Sequence, residues 1–238
     1  MIVFFVEEMY IPGMRILDLF SGTGSITKTM RDIFGNCEVV SVDIDPKFEP
    51  TIVCDILKLD YKSLWKPRHF DIVWLSPPCT MYSRARTHGT RDYRLSDRMV
   101  KRGMAIVEYL KPRVFAMENP AAGLRLRPFM HRWERYVNTV DYCQYSTPEI
   151  GDVYMYKKPT CIWTNNKSFQ PRRCVHGSRC DFFDGRRHFM TSQKGPSEYT
   201  GKSNPVSGSV KGENVYQVPK ALIMDVFCPV INPVAPST

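Results

Sequence analysis

A short apolar run ends in two prolines in the stretch Phe70-Asp-Ile-Val-Trp-Leu-Ser-Pro-Pro-Cys-Thr-Met-Tyr-Ser83. An apolar run of this length is typical of a buried strand. Proline cannot continue a central strand, because it has no backbone N–H to donate. The chain must therefore leave the sheet at the carboxyl end of this strand, where open α/β sheets bind their ligands. The first reactive side chain after the exit is the thiol of Cys79, which we interpret as a candidate nucleophile.

A strand, a glycine turn, a helix and a second strand precede this stretch. The patterns predict a strand at 14–20, a turn at 21–25, a helix at 26–34 and a strand at 38–42. Asp43 follows the second strand, where a carboxylate can accept hydrogen bonds from both hydroxyls of a ribose. This order is the plan of a nucleotide-binding βαβ unit. The alternative is a glycine turn that only packs the helix on the sheet.

Two further predicted strands end beside acidic residues. The strand at 51–54 leads to Asp55, whose carboxylate either meets the exocyclic amine of an adenine or only caps a helix. The strand at 114–117 leads to Glu118-Asn119-Pro120. Because the carboxyl ends of neighbouring parallel strands lie on one edge of a sheet, we expect Cys79 and Glu118 to face one pocket.

A thiol and a carboxyl group in one pocket suit methylation of cytosine at C5. That carbon is a weak nucleophile until a thiolate adds at C6, and such covalent catalysis replaces one difficult step by easier ones. Cys79 fits the attacking thiol, and Glu118 fits the group that shares a proton with N3 as charge develops there. A cytosine within a duplex is inaccessible to the thiol, so the base must be flipped out or already unpaired.

These motifs resemble those of the DNA (cytosine-5) methyltransferases, in particular the compact forms of phages and large DNA viruses. The run Asp-Leu-Phe-Ser-Gly-Thr-Gly at 18–24 resembles the loop of class I methyltransferases that binds S-adenosylmethionine (AdoMet). Pro78-Cys79 and Glu118-Asn119 resemble the family's Pro-Cys and Glu-Asn pairs. The resemblance implies an α/β, Rossmann-like class I fold with a small basic C-terminal appendage, and an AdoMet-dependent enzyme that modifies C5 of cytosine.

The resemblance also implies roles for individual residues. The catalytic residues would be Cys79, Glu118 and Asn119. The AdoMet contacts would come from the glycine turn and the ends of the neighbouring strands, namely Phe20, Ser21, Gly22, Thr23, Gly24, Asp43, Ile44, Asp55, Ile56 and Pro78. The family's Gln-x-Arg-x-Arg strand has no clean match, and the nearest candidate for it is Lys157-Lys158-Pro159-Thr160.

The charge of the chain favours a polyanionic partner. Lys and Arg outnumber Asp and Glu by 33 to 24. The segment 83–102 is strongly basic and suits closure over a phosphate backbone, although a solvated helix face is the alternative. Candidate DNA contacts are Arg84, Arg86, Arg91 and Lys158. We therefore expect DNA with a flipped cytosine as the partner, bound by a monomer.

The composition changes after residue 165. We predict an AdoMet-binding catalytic domain at 1–165, a basic loop-rich appendage at 166–213, a helix that packs back on the core at 214–228 and a disordered tail at 229–238. Two thiols and two imidazoles within the appendage suit zinc, which would stabilise a DNA-facing region; unligated surface side chains are the alternative. These candidate ligands are Cys174, His176, Cys180 and His188.

The cellular location is expected to be intracellular rather than secreted. The start of the chain lacks a basic leader, and the eight scattered cysteines are typical of reduced thiols. No apolar run approaches the ~20 residues that cross a bilayer, so no membrane partner is expected.

Three other functions fit parts of the sequence. Ser76-Pro77-Pro78 also marks enzymes that methylate the exocyclic amine of cytosine (N4) or adenine (N6), but those place an aromatic ring where this chain has Cys79. Glu118-Asn119 would have no role in that reaction. A nucleic-acid-binding relative without activity is the second alternative, and the same reaction on RNA is the third.

Overall fold

The computed structural model describes residues 13–83, 89–154, 156–175, 180–183, 185–186, 188 and 217–231, with side chains as far as residue 227. The strands in this part of the chain are β1 (Arg15–Leu19), β2 (Glu38–Asp43), β3 (Ile52–Val53), β4 (Ile72–Leu75), β5 (Val114–Pro120), β6 (Val137–Asp141) and β7 (Pro159–Thr164). The α-helices are α1 (Ser25–Phe34), α2 (Tyr61–Leu64), α3 (Tyr93–Leu110) and α4 (Lys220–Ile231). The seven strands form a sheet in the order β3-β2-β1-β4-β5-β7-β6.

The chain divides into two compact units. The first comprises Met1–Pro78 and Asp92–Met117, and the second comprises Cys79–Arg91 and Glu118–Thr238. The predicted domains, with their boundary at residue 165, divide the chain differently and stay a prediction.

The first unit is built on parallel strands. β1 lies between β2 and β4, so that Leu17 pairs with Val40 on one side and with Val73 on the other. Both β1 and β4 are almost completely buried, which agrees with the continuous apolar runs expected of covered parallel strands. Helix α3 approaches the end of β4 closely, since a Cβ added at Gly103 would lie 2.7 Å from Cδ2 of Leu75.

Helix α1 follows the glycine turn because its sequence is apolar on one face. Its buried residues include Ile26, Met30 and Ile33, at the spacing that places side chains on one side of a helix. Gly24 precedes it with φ 72°, and Gly35 ends it with φ 56° and a backbone N–H that donates to the Arg31 carbonyl.

The second unit contains the antiparallel pair β6 and β7, in which Thr139 lies opposite Cys161. The end of β5 connects to this pair, because the Ala121 N–H donates to the Pro159 carbonyl at 2.9 Å. Helix α4 belongs to the same unit. The Asp152 carboxylate accepts from the backbone N–H of Lys220 at 2.8 Å, and the Asn166 side chain donates to the Val226 carbonyl at 2.7 Å.

The order of strands and helices agrees with the sequence, and the predicted α/β, Rossmann-like class is confirmed. β5 is longer than predicted and continues through Glu118 and Asn119 to Pro120, since the backbone there pairs towards β7. After β6 ends at Asp141, residues 142–145 form a 3-10 helix. Helix α3 begins at Tyr93, because the Asp92 carboxylate caps it through the N–H of Arg94.

Where the sequence predicts a C-terminal helix at 214–228, the structure describes α4, which begins directly after Pro219 and extends to Ile231, into the first residues of the predicted disordered tail at 229–238. Most of the predicted appendage and the tail from 232 lie outside the described residues. Among the helices that the structure describes, none has the length and hydropathy of a membrane span.

Candidate active site

The glycine turn after β1 is the first candidate binding element. Phe20, Gly22 and Gly24 all have positive φ values of 61°, 48° and 72°, so the backbone reverses sharply before α1. The Gly22 N–H donates to Oδ2 of Asp43 at 2.8 Å, and the other carboxylate oxygen of Asp43 accepts from the Asp45 N–H at 2.9 Å. The structure therefore brings together the predicted turn and the predicted acid at the end of β2.

The other residues predicted to contact AdoMet also belong to the first unit, and their side chains differ in exposure. Ser21 and Ile56 are buried, Thr23 is half-buried and Pro78 is exposed. Ile44 is 66% exposed, which is unusual for a large apolar side chain directly after a strand. Asp55 accepts from the Leu57 N–H at 2.9 Å, so it caps its own turn, as one of the two interpretations of this residue required.

Asp18 in β1 is a buried acid that the motif-based choice of site residues did not include. Thr27 donates its hydroxyl to Oδ2 of Asp18 at 2.8 Å. The other oxygen, Oδ1, is buried and has no hydrogen-bond partner among the described residues. Burial raises the pKa of this carboxyl group to about 7, and the hydrogen bonds from Thr27 offset only part of that effect. An acid within an otherwise apolar strand is the sequence signal that identifies it.

The loop that carries Cys79 belongs to the second unit and is held by several backbone contacts. The N–H groups of Tyr82 and Ser83 donate to the Cys79 carbonyl at 2.9 and 2.8 Å, which forms a tight turn after the prolines. Gly123 donates its N–H to the Tyr82 carbonyl at 2.9 Å, and a Cβ at Gly123 would lie 3.0 Å from that oxygen. The absence of a side chain at Gly123 therefore lets the segment after β5 pack directly on the nucleophile loop.

Arg91 also holds this loop. Its guanidinium donates to the carbonyls of Met81 and Ser83 at 2.6 and 2.9 Å. This residue was predicted as a DNA contact, and the structure gives it at least two contacts within the protein. Arg84 and Arg86, predicted for the same role, lie outside the described residues.

Glu118 is the centre of a group of polar side chains. It is buried, it accepts a hydrogen bond from the Tyr142 hydroxyl at 3.1 Å, and its Oε1 lies 3.8 Å from Nζ of Lys158. The Lys158 ammonium also lies 4.5 Å from the centre of the Tyr142 ring. Asn119, the second predicted residue of the pair, is fully buried.

The thiol of Cys79 responds to these charges. Burial raises its pKa above the usual value, the Glu118 carboxylate raises it further, and the Lys158 ammonium lowers it. Glu118 and Lys158, whose charged atoms lie 3.8 Å apart, both affect the pKa of the Cys79 thiol, and a catalytic pocket formed by Cys79 and Glu118 stays a prediction. Burial together with the charge of Glu118 raises the pKa of Tyr142, so its phenol stays protonated and donates.

Sequence motifs do not identify Tyr142, because it follows β6, far from both the Pro-Cys and the Glu-Asn pairs. It begins the 3-10 helix Tyr142–Tyr145, which faces Glu118 only once β6 has paired with β7. Its ring also packs edge-on against Tyr154 at 5.6 Å.

A second cluster of reactive side chains lies in the same unit. One ligand atom from each of Cys143, Cys174, Cys180 and His188 lies within 4.8 Å of all the others. The structure brings together three of the four predicted zinc ligands, while His176 lies outside the described residues. Cys143, the residue next to Tyr142, is the member that sequence spacing did not suggest.

Comparisons with known proteins agree on one family. A sequence profile described as C-5 cytosine-specific DNA methylase matches residues 14–156. A protein of Frog virus 3 (isolate Goorha), described as "Probable DNA (cytosine-5)-methyltransferase", is 34% identical, and the match covers 90% of this chain and 99% of that protein.

Similar solved structures include the Dnmt2 methyltransferase of S. pombe, with a TM-score of 0.44 and 14% identity over 64% of this chain and 49% of that one. A triple mutant of Spodoptera frugiperda DNMT2 has a TM-score of 0.44 and 18% identity over 68% of this chain and 55% of that one. The chain spans about half the length of these solved structures.

Proposed function

Because the chain belongs to the C-5 cytosine-specific DNA methylase family, we propose that it transfers a methyl group from AdoMet to C5 of cytosine in DNA. The observation that carries the proposal is the buried Glu118 carboxyl group, which lies 3.8 Å from the Lys158 ammonium, accepts from the Tyr142 hydroxyl and belongs to the same compact unit as Cys79. A nucleophile, a group that can share a proton and a cation in one place are the parts that attack at C6 requires.

The proposed reaction begins and ends at Cys79. Its thiolate adds to C6 of a flipped cytosine, an S–C6 bond forms, and the electron pair of the C5–C6 double bond moves into the C5–C4–N3 system. Glu118 shares a proton with N3 and so stabilises the charge that develops there. AdoMet, when bound, supplies the methyl group for C5. The C5 proton then leaves to solvent, the double bond re-forms, and the sulfur departs from C6 as thiolate.

The charges around Cys79 explain why substrate would assist its own activation. An ionised Glu118 opposes formation of the thiolate, as the raised pKa of Cys79 indicates. When the Glu118 carboxylate takes up a proton from solvent and holds it between its oxygen and N3, its negative charge is reduced, and the Lys158 ammonium is left to stabilise the thiolate. The thiol therefore ionises most readily when a cytosine is in place.

The residues of the glycine turn and the end of β2 fit AdoMet. Space is open beside Gly22, where an added Cβ would meet nothing within 4 Å. Oxygens of Asp43 can accept from the ribose hydroxyls in addition to the backbone N–H groups they already hold, and the exposed Ile44 can cover a face of the adenine. Asp55 and Ile56 are proposed to contact the rest of the adenine.

DNA is the proposed substrate polymer, with the target base flipped out of the duplex. The net charge of +9 favours binding to phosphates, and Arg84 and Arg86 are proposed to contact the strand. Lys158 is proposed to serve the flipped base rather than the phosphates, since its ammonium lies 3.8 Å from Oε1 of Glu118 and its side chain is only 14% exposed. We further propose that the protein acts as a monomer inside the cell, where its DNA substrate is.

Zinc is proposed as a second bound group, with a structural role. Cys174, Cys180 and His188 provide the sulfur and nitrogen ligands that structural zinc sites use, and they lie within ligand distance of one another.

Bisulfite sequencing of DNA from a host that expresses the protein tests the proposed function. The full-length wild-type protein is expected to protect cytosines in a defined sequence context, and Cys79→Ser is expected to protect none. Cys37→Ala, which removes a half-buried thiol of the first unit, is the matched control and is expected to protect the same sites as the wild type.

Mass spectrometry of the nucleosides identifies the methylated atom and the polymer in the same cultures. Methyl groups on N4 of cytosine or N6 of adenine, methylation confined to RNA, or full protection by Cys79→Ser would each contradict the proposal.

A further inference from the structure

The distances within the cysteine and histidine cluster are those of a four-coordinate metal site. Nε2 of His188 lies 3.4 Å from Sγ of Cys174 and 3.5 Å from Sγ of Cys180. In a tetrahedral zinc site, bond lengths of about 2.0–2.3 Å place neighbouring ligand atoms roughly 3.5–3.8 Å apart. The fourth ligand atom within this group is the sulfur of Cys143.

The surroundings of the cluster suit a bound cation with three thiolates. Three thiolates and one neutral imidazole around Zn²⁺ leave a net charge of −1, which needs a nearby positive group. The Lys157 ammonium donates to the Cys174 carbonyl at 2.7 Å and so lies beside the cluster. Asp141 at the end of β6 accepts from the Cys174 N–H at 2.9 Å, which orients the ligand loop through its backbone.

Cys143 differs from the other three ligands in its place in the chain. It belongs to the 3-10 helix Tyr142–Tyr145, directly after β6, whereas the others come from the segment after β7. The neighbouring Tyr142 donates to Glu118, and the hydroxyl of Tyr145 accepts from the Arg172 N–H at 2.8 Å. One short helix therefore carries both a metal ligand and the hydrogen-bond donor of a proposed catalytic carboxyl group.

We propose that Cys143 completes a zinc site with Cys174, Cys180 and His188, and that the bound metal positions Tyr142 on Glu118. This inference rests on the proposed function for the role of Glu118, whereas the ligand set stands without it. Tyr142 and Cys143 are positioning residues, since neither bonds to the reacting cytosine. His176, which the sequence spacing suggested, is not needed for four-fold coordination.

X-ray absorption of the zinc in the purified, full-length wild-type protein tests the ligand set without any mutation. The expected result is one zinc per chain, with three sulfur ligands and one nitrogen ligand. Two sulfur and two nitrogen ligands would favour His176 over Cys143 and overturn the inference. Absence of bound zinc, or binding of iron with inorganic sulfide, would also overturn it.

Cobalt substitution supplies a second measurement, on the variants. Co²⁺ in the wild type should give intense thiolate-to-metal charge-transfer bands, and Cys143→Ala should lose about a third of that intensity, since one of three sulfur ligands is removed. Cys37→Ala should leave the spectrum unchanged. An unchanged spectrum in Cys143→Ala would show that its sulfur is not a ligand.

A double-mutant comparison tests the positioning role. Loss of the Tyr142 hydrogen bond should lower kcat about tenfold in Tyr142→Phe, with an unchanged KM for AdoMet. Cys143→Ala should lower kcat by a similar factor, but should have little further effect in the Tyr142→Phe background. Independent, multiplicative losses would contradict coupling through Tyr142.

The two proposals fail separately. A wild-type protein with the expected sulfur and nitrogen count but no cytosine methylation would refute the proposed function and retain the zinc site. An active wild-type protein without zinc would refute the zinc site and retain the proposed function.

Discussion

Each of the two compact units contains a buried carboxyl group, and the two groups have different neighbours. Asp18 in the first unit accepts from the Thr27 hydroxyl, and its second oxygen lacks a hydrogen-bond partner within the described part of the chain. Glu118 in the second unit accepts from the Tyr142 hydroxyl and also has the Lys158 ammonium 3.8 Å away. Each carboxyl group thus has one hydroxyl donor, but only Glu118 lies beside a reactive thiol and a cation.

The comparison shows what burial does to an acid with and without charged neighbours. Desolvation raises the pKa of Asp18 to about 7, so this group can remain neutral in a folded protein near neutral pH. The Glu118 carboxylate instead raises the pKa of the neighbouring Cys79 thiol. A buried acid of the first kind mainly affects stability, whereas one of the second kind is suited to chemistry.

Glu118→Gln is expected to have the largest effect on activity. Glutamine keeps the shape of the side chain but cannot share a proton with N3, so kcat should fall by roughly 10²–10⁴-fold. The melting temperature should change little. Steady-state methyl transfer to a cytosine-containing duplex measures the effect, with the exposed Glu134→Gln as the matched control. Wild-type rates in Glu118→Gln would mean that N3 needs no such partner.

Asp18→Asn should change the pH dependence of the free energy of unfolding and not the rate of methyl transfer. The Asp18 carboxyl has a pKa of about 7 when folded against an ordinary value of 3.8, so the folded state holds this proton more tightly. Its contribution to stability is therefore present below about pH 4 and is lost as the pH rises to about 7, by at most about 4 kcal/mol.

Denaturant unfolding at pH 5 and pH 8 measures this contribution. The wild type should lose more stability over that interval than Asp18→Asn. Parallel pH profiles for the two proteins would mean that Asp18 is already ionised in the folded state.

The two hydroxyl donors form a matched pair. Thr27→Val should lower the free energy of unfolding by about 1–3 kcal/mol, because it removes a hydrogen bond to a buried group, with little effect on kcat. Tyr142→Phe should instead lower kcat about tenfold, with little effect on the free energy of unfolding. Thermal unfolding and methyl-transfer kinetics on both variants separate the roles, and equal effects on both quantities would remove the distinction between the units.

Arg91→Ala is expected to have little effect on DNA affinity. Its guanidinium holds the carbonyls of Met81 and Ser83, so the substitution should lower kcat by loosening the Cys79 loop. The slope of log K against log salt for DNA binding should stay unchanged. A decrease of that slope by about one would instead identify Arg91 as a phosphate contact.

The sequence predicted those parts of the site that depend on local motifs. The glycine turn, Asp43, Cys79 and Glu118 could be found because each stands in a short, recognisable pattern at the end of a predicted strand, and parallel pairing brings the ends of β4 and β5 to one edge.

The remaining parts depend on contacts between distant segments. Tyr142 meets Glu118 and Cys143 meets His188 only after β6 and β7 have paired, and a change from strand to 3-10 helix at residue 142 turns both side chains to their partners. Arg91 was predicted to contact DNA because of its charge, yet its guanidinium donates to two backbone carbonyls of the protein. The composition of a segment cannot identify such contacts.

Trapping with DNA that contains 5-fluorocytosine tests most directly whether the Cys79 sulfur bonds to C6. Fluorine replaces the C5 proton, so the sulfur cannot be eliminated after methyl transfer and the adduct persists. The wild-type protein with AdoMet should form a denaturation-resistant complex in which peptide mapping locates the nucleotide on Cys79, and Cys79→Ser should form none. Methyl transfer to unmodified cytosine DNA without any trapped complex on 5-fluorocytosine DNA, or a complex mapped to another cysteine, would contradict the mechanism.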